Sequence, residues 1–255
     1  PTAEGDFALE PGALHIWPRG EYMLIALPNL DGSFTLTLFM PNTGETSFDS
    51  IKTKAQVENF FAQQFGSVTP LIDNLAFDYL NNPTGKLATV KCAPWYYRDK
   101  ALILGDAAHA VVPFHGQGMN CGFEDCDTIA RHLPDEVNSH DLDWQSFFAK
   151  IEQERKINAD AIADMALENY IEMRDSVRKP EFVLQKQLAF KIQQWFPTRF
   201  TPRYAMVMFE HIPYNEAYAL GQRQQGLLKE LSGTLNSVSE LTKDAAQEIL
   251  DKYKL

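Results

Sequence analysis

The stretch "GDAAHAVVPFHGQGMN", Gly105 to Asn120, gathers an acid, two histidines and several bend-forming residues at one junction. It follows the apolar run "ALIL" and precedes a helical pattern. Asp106 stands at the end of that run beside Gly105. A short acid at a strand's carboxyl end, next to a glycine that lets another group approach, can accept a hydrogen bond from a sugar-like hydroxyl. Read alone, a Gly-Asp pair is also a plain turn. Gly116 and Gly118 then lead into a helix starting near Met119. Two glycines free the backbone to turn its N–H groups outward, and the helix start adds partial positive charge, so an anionic group is stabilised there. The spacing Gly116-x-Gly118-x-x-x-Gly122 is not the dinucleotide fingerprint, and no Walker lysine follows. His109 reads as structural, and His115, by type alone, as a loop histidine. Cys121 and Cys126 lack a second ligand pair at zinc spacing, so no metal is expected. No Ser or Cys sits in a nucleophile elbow, which argues against a hydrolase.

The elements that must position this junction can be read from periodicity. "ALHIW", "YMLIAL" and "SFTLTLFM", separated by turn residues, predict a three-stranded antiparallel meander between Ala13 and Met40. Apolar residues fall on both faces of its strands. This predicts either a two-sided core or one face lining an apolar ligand cavity. Phe39 stands on the Thr35/Thr37 face of its strand, where a solvated face has no need of it. Lys54 to Phe65 has helical spacing and meets Gly66, a candidate cap. "KLATVKC" and "KALILGD" read as strands, the second one buried. Helices are expected over Met119–His132, Trp144–Val177 and Pro180–Trp195, and "EQERK" in the second of these reads as a solvated face. Sheet first, a strand-turn-helix junction, then helices predicts an α+β (mixed α/β) fold. The expected division is residues 1–90 as a sheet with its helices, 91–140 as the strand-turn-helix junction and 141–255 as a helical region.

Composition narrows the function. The chain has 255 residues, 45% hydrophobic, with Lys+Arg 23 against Asp+Glu 34 and a formal net charge of -11. No basic, aromatic-rich tract is present, so nucleic acid is not an expected partner. Its 3 cysteines are too few for a disulfide framework and suit a reducing cytoplasm. No apolar run approaches the roughly 18 residues that span a bilayer. Residues 231–255 read as an amphipathic helix packing on its own protein rather than a membrane anchor.

Joined together, "GDAAHAVVPFHGQGMNCGFEDC" resembles the second FAD-binding motif of the flavin-dependent aromatic hydroxylases. "LHIWPRGEYMLIALPN", "SFTLTLF", "PTGKLAT", "ENYIEMR" and "PTRFTPRYAMVMF" resemble further segments of that family, and "VPFHGQGMN" resembles its kynurenine-acting branch. The resemblance implies FAD as cofactor, NADPH as reductant, O2 as oxidant, and hydroxylation of L-kynurenine to 3-hydroxykynurenine through a flavin hydroperoxide, a step of tryptophan degradation. It places Gly105, Asp106, Pro113, Gly116, Gln117, Gly118, Met119 and Asn120 at the cofactor. His115 takes the catalytic position. Phe114, Gln117, Asn169, Met173 and Tyr204 face the substrate, and Leu14, Met23, Ile25, Leu27 and Phe39 line its ring.

The family's opening Gly-x-Gly-x-x-Gly turn does not occur in residues 1–255. The expectation is therefore a C-terminal portion whose N-terminal half is missing, inactive and poor at holding FAD by itself. Two other readings remain at this stage: a related flavin hydroxylase with a different aromatic substrate, and a non-catalytic ligand-binding module.

Overall fold

The structure is a computed structural model that describes residues 2, 5–133 and 142–255. The expected division at 140/141 falls outside the described residues. The chain folds as two compact units, one comprising residues 1–86 and 171–179, the other residues 87–170 and 180–255.

In the first unit β1 (His15–Pro18), β2 (Met23–Pro28) and β3 (Phe34–Phe39) form the antiparallel sheet in the order β1-β2-β3. The β2–β3 turn is closed by Asp31, whose Oδ1 accepts from the Ser33 amide at 3.0 Å and its hydroxyl at 2.6 Å. Gly32 supplies the positive φ, +82°, that this turn requires. Register then sorts the side chains, because the pleat alternates faces and directly paired residues share one. Leu24 pairs with Leu38 and with Trp17, and this face packs on the core of Phe60, Phe61 and Phe65. Those aromatics come from α1 (Lys54–Gln64) and the residue that ends it. A capping box holds the start of α1: the Gln56 amide donates to Thr53 Oγ1 at 3.3 Å and Gln56 Oε1 accepts from the Thr53 amide at 3.0 Å. Gly66 is not a left-handed cap as expected. Phe65 ends the helix at φ −133°, and Gly66 matters for closeness, since a Cβ there would sit 3.0 Å from the Ala62 carbonyl oxygen. α2 (Leu75–Asn81) completes this core.

The second unit holds the junction. The strands expected over 86–92 and 100–106 are not formed as such. Among the described residues strand pairing here is limited to β4 (Tyr96–Tyr97) and β5 (Ala101–Leu102), an antiparallel pair. A strand persists only with a neighbour to satisfy its backbone. Val90 instead donates to the Ala110 carbonyl at 2.8 Å and Ile103 to the Trp95 carbonyl at 2.8 Å. Nor is "ALIL" buried, as Ile103 is 38% exposed.

Helices follow: α3 (Asp106–His109), α4 (Gly118–His132), α5 (Trp144–Arg174), α6 (Pro180–Trp195), α7 (Arg203–Phe209), α8 (Tyr214–Thr234) and α9 (Lys243–Tyr253). Ile151, Arg155, Asn158, Ile162 and Met165 form the buried stripe of α5 at helical spacing. "EQERK" is thus not a solvated face, since Arg155 is 5% exposed. In α9 the stripe is Ala246, Ile249 and Leu250, packed with Leu188, Ile192 and Leu227. The expected amphipathic C-terminal helix is present, and the α+β fold class is borne out. Among the described residues no helix is long and apolar enough to cross a membrane.

Candidate functional site: the glycine turn before α4

Gly105 adopts φ +54°, ψ −140°, a conformation available to glycine and costly for any residue with a Cβ. It carries the chain from β5 into the single turn of α3, leaving Asp106 exposed at its start. Pro113 opens a 3-10 turn over Pro113–His115, and Gly116 reverses the chain at φ +69°. A Cβ at either Gly105 or Gly116 would meet nothing within 4 Å. Both glycines therefore serve backbone conformation and leave open space beside them. α4 then begins at Gly118. Its N-cap residue, Gln117, makes no side-chain cap bond, and the first turn carries no acid. The leading amides of a helix have no intrahelical acceptor. Those of Gly118, Met119 and Asn120 can accept an anionic group by geometry and by dipole.

The Gln117 side chain is buried. Its Oε1 accepts from Asn120 Nδ2 at 3.0 Å and from the Tyr214 hydroxyl at 3.0 Å, and its Nε2 points to Met208 Sδ at 3.1 Å. Burial first, and then the Glu124 charge, keep the Tyr214 phenol protonated well above its ordinary range. It is a fixed donor that holds the start of α4.

Two aromatic stacks flank the turn. Phe114, buried, lies 4.4 Å from Tyr170 at an interplanar angle of 25°. His115, also buried, stacks on Tyr204 at 5.5 Å and 22°. Asn169 Nδ2 donates to the Phe114 carbonyl at 2.5 Å. Of the residues expected at the substrate, Phe114, His115, Gln117, Asn169 and Tyr204 therefore gather at this turn. Tyr204 remains 52% exposed. The expected residues of the first unit form their own set: Met23 pairs with Phe39, and Ile25 and Leu27 pair with Thr37 and Thr35. By strand alternation these four share the sheet face opposite the α1 core, and Leu14 directly precedes β1. Met173 stands four residues after Asn169 on α5, in the last turn of that helix, which belongs to the first unit.

Sequence reasoning missed what holds the junction from beneath. Asp125, fully buried, accepts from the Gly105 amide at 2.9 Å, His109 Nε2 at 2.6 Å and Arg155 Nε at 2.8 Å. Arg155 also donates to Glu124 Oε2 at 2.8 Å and to the Cys121 carbonyl at 3.1 Å. Burial alone would lower the His109 pKa, but the bond to Asp125, aided by Cys121, pushes it up to about 10. For Asp125, burial works upward and is outweighed by His109, Arg155 and the Gly105 amide, so its carboxyl lies below the usual range. The arrangement is a buried, alternating charge network that clamps Gly105 to α4 and α4 to α5. The signal for it was present: Arg155 lies four residues from Ile151 and from Ala159, on an apolar stripe. A charge placed there requires a buried partner.

Residues 87–165 match the FAD binding domain family. Over most of its length the chain is similar to proteins named kynurenine 3-monooxygenase. It is 52% identical to that of Stenotrophomonas maltophilia over 228 residues, 89% of this chain and 49% of the relative. It is 47% identical to that of Myxococcus xanthus over 246 residues, 96% and 52%, and 46% identical to that of Xanthomonas oryzae pv. oryzae over 250 residues, 98% and 54%. The expected resemblance is borne out. The chain spans about half the length of the curated relatives it matches.

Proposed function

We propose that this chain, similar through most of its length to the kynurenine 3-monooxygenases, supplies the flavin-facing turn and substrate contacts of an FAD- and NADPH-dependent enzyme. The enzyme would hydroxylate L-kynurenine to 3-hydroxykynurenine in tryptophan degradation. One observation carries the reading: the uncapped start of α4, with open glycines before it, is joined to the Phe114–Tyr170 and His115–Tyr204 stacks. The residues fit a flavin, since backbone amides face outward where its anionic pyrimidine edge would lie.

When bound, FAD would accept hydride from NADPH and activate O2 for transfer to an electron-rich ring. The chain's own part is to bind, orient and keep dry. The Asp106 carboxylate would accept from ribityl hydroxyls, with Gly105 and Gly116 giving close approach. The amides of Gly118, Met119 and Asn120 would stabilise negative charge, with Gln117 and Tyr214 fixing the turn and Pro113 stiffening it. Phe114 and His115 would face the substrate's ring and side chain, while Asn169 and Tyr204 meet its amino acid end. Leu14, Met23, Ile25, Leu27, Phe39 and Met173 are proposed as its apolar lining, which limits water. The division into a substrate-binding sheet (1–90), the end of an FAD-binding domain (91–140) and a helical region (141–255) belongs to the same proposal. So does a cytoplasmic location, supported by unpaired Cys92, Cys121 and Cys126.

The test is NADPH consumption by a protein of the relatives' length that carries this sequence, over a panel of amino-aromatic compounds. Stimulation by L-kynurenine with formation of the 3-hydroxy product is expected. Stimulation only by another aromatic compound would move the assignment to a related hydroxylase, and none at all would refute the reading.

A further inference from the structure

Asn169 and Tyr204 reach the turn from different helices, and the residue preceding each is tied to the other. Glu168 and Arg203 form an ion pair joining α5 to α7. The second oxygen, Glu168 Oε1, accepts from the Tyr218 hydroxyl at 3.2 Å and from Gln222 Nε2 at 2.9 Å, both on α8. The stem of Arg203 lies directly on Gly221, also on α8 and buried. A Cβ at Gly221 would stand 2.3 Å from Arg203 Cδ, 2.8 Å from Cγ and 3.1 Å from Cβ. Swinging the guanidinium away would not relieve that contact, because it reaches to the atom attached to the backbone. The Arg203 stem would have to be displaced and α7 to give by a few tenths of an ångström. This helix has only 7 residues and no side-chain cap bond at its start, and Met206 and Val207 anchor it in the core.

The pair is a third exposed on the acid side and a fifth on the basic side, 34% and 21%. Ion pairs so exposed add little to global stability. This one joins α5 to α7 at the residues directly before Asn169 and Tyr204, whose ring stacks on His115.

We propose that Glu168 and Arg203, seated on Gly221, are positioning residues that set Asn169 and Tyr204 for the amino acid end of the substrate and so tune its selection. The inference rests on the kynurenine reading above. A misplacement of about 1 Å at a substrate contact is enough to cost large factors in catalytic efficiency.

Two measurements test it. In a protein of the relatives' length carrying this sequence, Glu168→Gln and Gly221→Ala are expected to raise KM for L-kynurenine at least fivefold. kcat at saturation should stay near the parent's in both variants and Tm near the parent's in Glu168→Gln, while Gly221→Ala also lowers Tm through overpacking; Arg203→Lys should be intermediate in KM. In the 255-residue chain, the NMR signal of the His115 ring, shifted by the stacked Tyr204 ring, is expected to move toward its unstacked position in both variants while circular dichroism is unchanged. A lowered Tm with unchanged KM, or unchanged KM together with an unmoved His115 signal, would overturn the proposal. If the parent shows no response to L-kynurenine, the functional reading fails. The His115 signal then still decides the device: moved, the pair sets the Tyr204 ring; unmoved, it does not.

Discussion

Asp125→Asn removes the charge at the centre of the buried network and nothing of its volume. The carboxylate accepts from three donors, at 2.9 Å from the Gly105 amide, 2.6 Å from His109 Nε2 and 2.8 Å from Arg155 Nε, and is 0% exposed. Asparagine keeps one acceptor and turns an NH2 group toward those donors. Arg155 retains Glu124 and the Cys121 carbonyl but loses its buried counterion, and His109 loses its proton's partner. Breaking a buried pair from one side costs about 3–5 kcal/mol, a large share of the roughly 5–15 kcal/mol that a folded domain has in total. Urea unfolding followed by tryptophan fluorescence reads this directly. Trp95, 2% exposed, lies 5.0 Å from the His109 ring and reports on the site itself. With a urea slope of about 3 kcal/mol/M, the midpoint should fall by about 1–2 M. Arg155→Met on the Asp125→Asn background should add less than it costs alone, because the two changes remove one interaction. A loss under about 1 kcal/mol for Asp125→Asn, or strict additivity of the pair, would show that the network does not hold the junction.

Because the His109 pKa is raised from an ordinary 6.5 to about 10, its stabilisation is complete below pH 6.5 and is lost as pH rises through about 10. Thermal melts between pH 7 and 10 should show a decline of at most about 1.4 kcal/mol per pH unit, flattened in His109→Asn. The carboxyl of Asp125, held below its ordinary 3.8, contributes stability above that value that is lost as pH falls, so the acid-side decline should be shallower in Asp125→Asn. Gly105→Ala meets open space but must hold φ +54°, and should cost about 1–3 kcal/mol in the same urea assay from strain alone; an unchanged midpoint would refute that account. Residues 1–255 contain no Gly-x-Gly-x-x-Gly, so after desalting they should retain no stoichiometric flavin absorbance, and a retained flavin spectrum would contradict this.

Local pattern made several elements legible before any coordinates. The meander from Ala13 to Met40 is written in period-two alternation broken by turn residues, and α1 in helical spacing after Thr53. Phe39 on the threonine face of β3 already marked an apolar surface opposite the core. The turn from Gly105 to Asn120 was legible for the same reason, since glycine placement is a statement about backbone conformation that needs no partner to read. What the tertiary structure alone decided are the partnerships. Whether residues 86–92 form a strand depends on a neighbour, and Val90 pairs with Ala110 instead. Gly66 and Gly221 depend on how closely Ala62 and Arg203 approach them. Asp125 and Arg155 stand 30 residues apart in sequence, and Glu168 and Arg203 stand 35 apart. Periodicity records which face a residue takes, but the charge that balances it comes from another element, and only packing brings the two together.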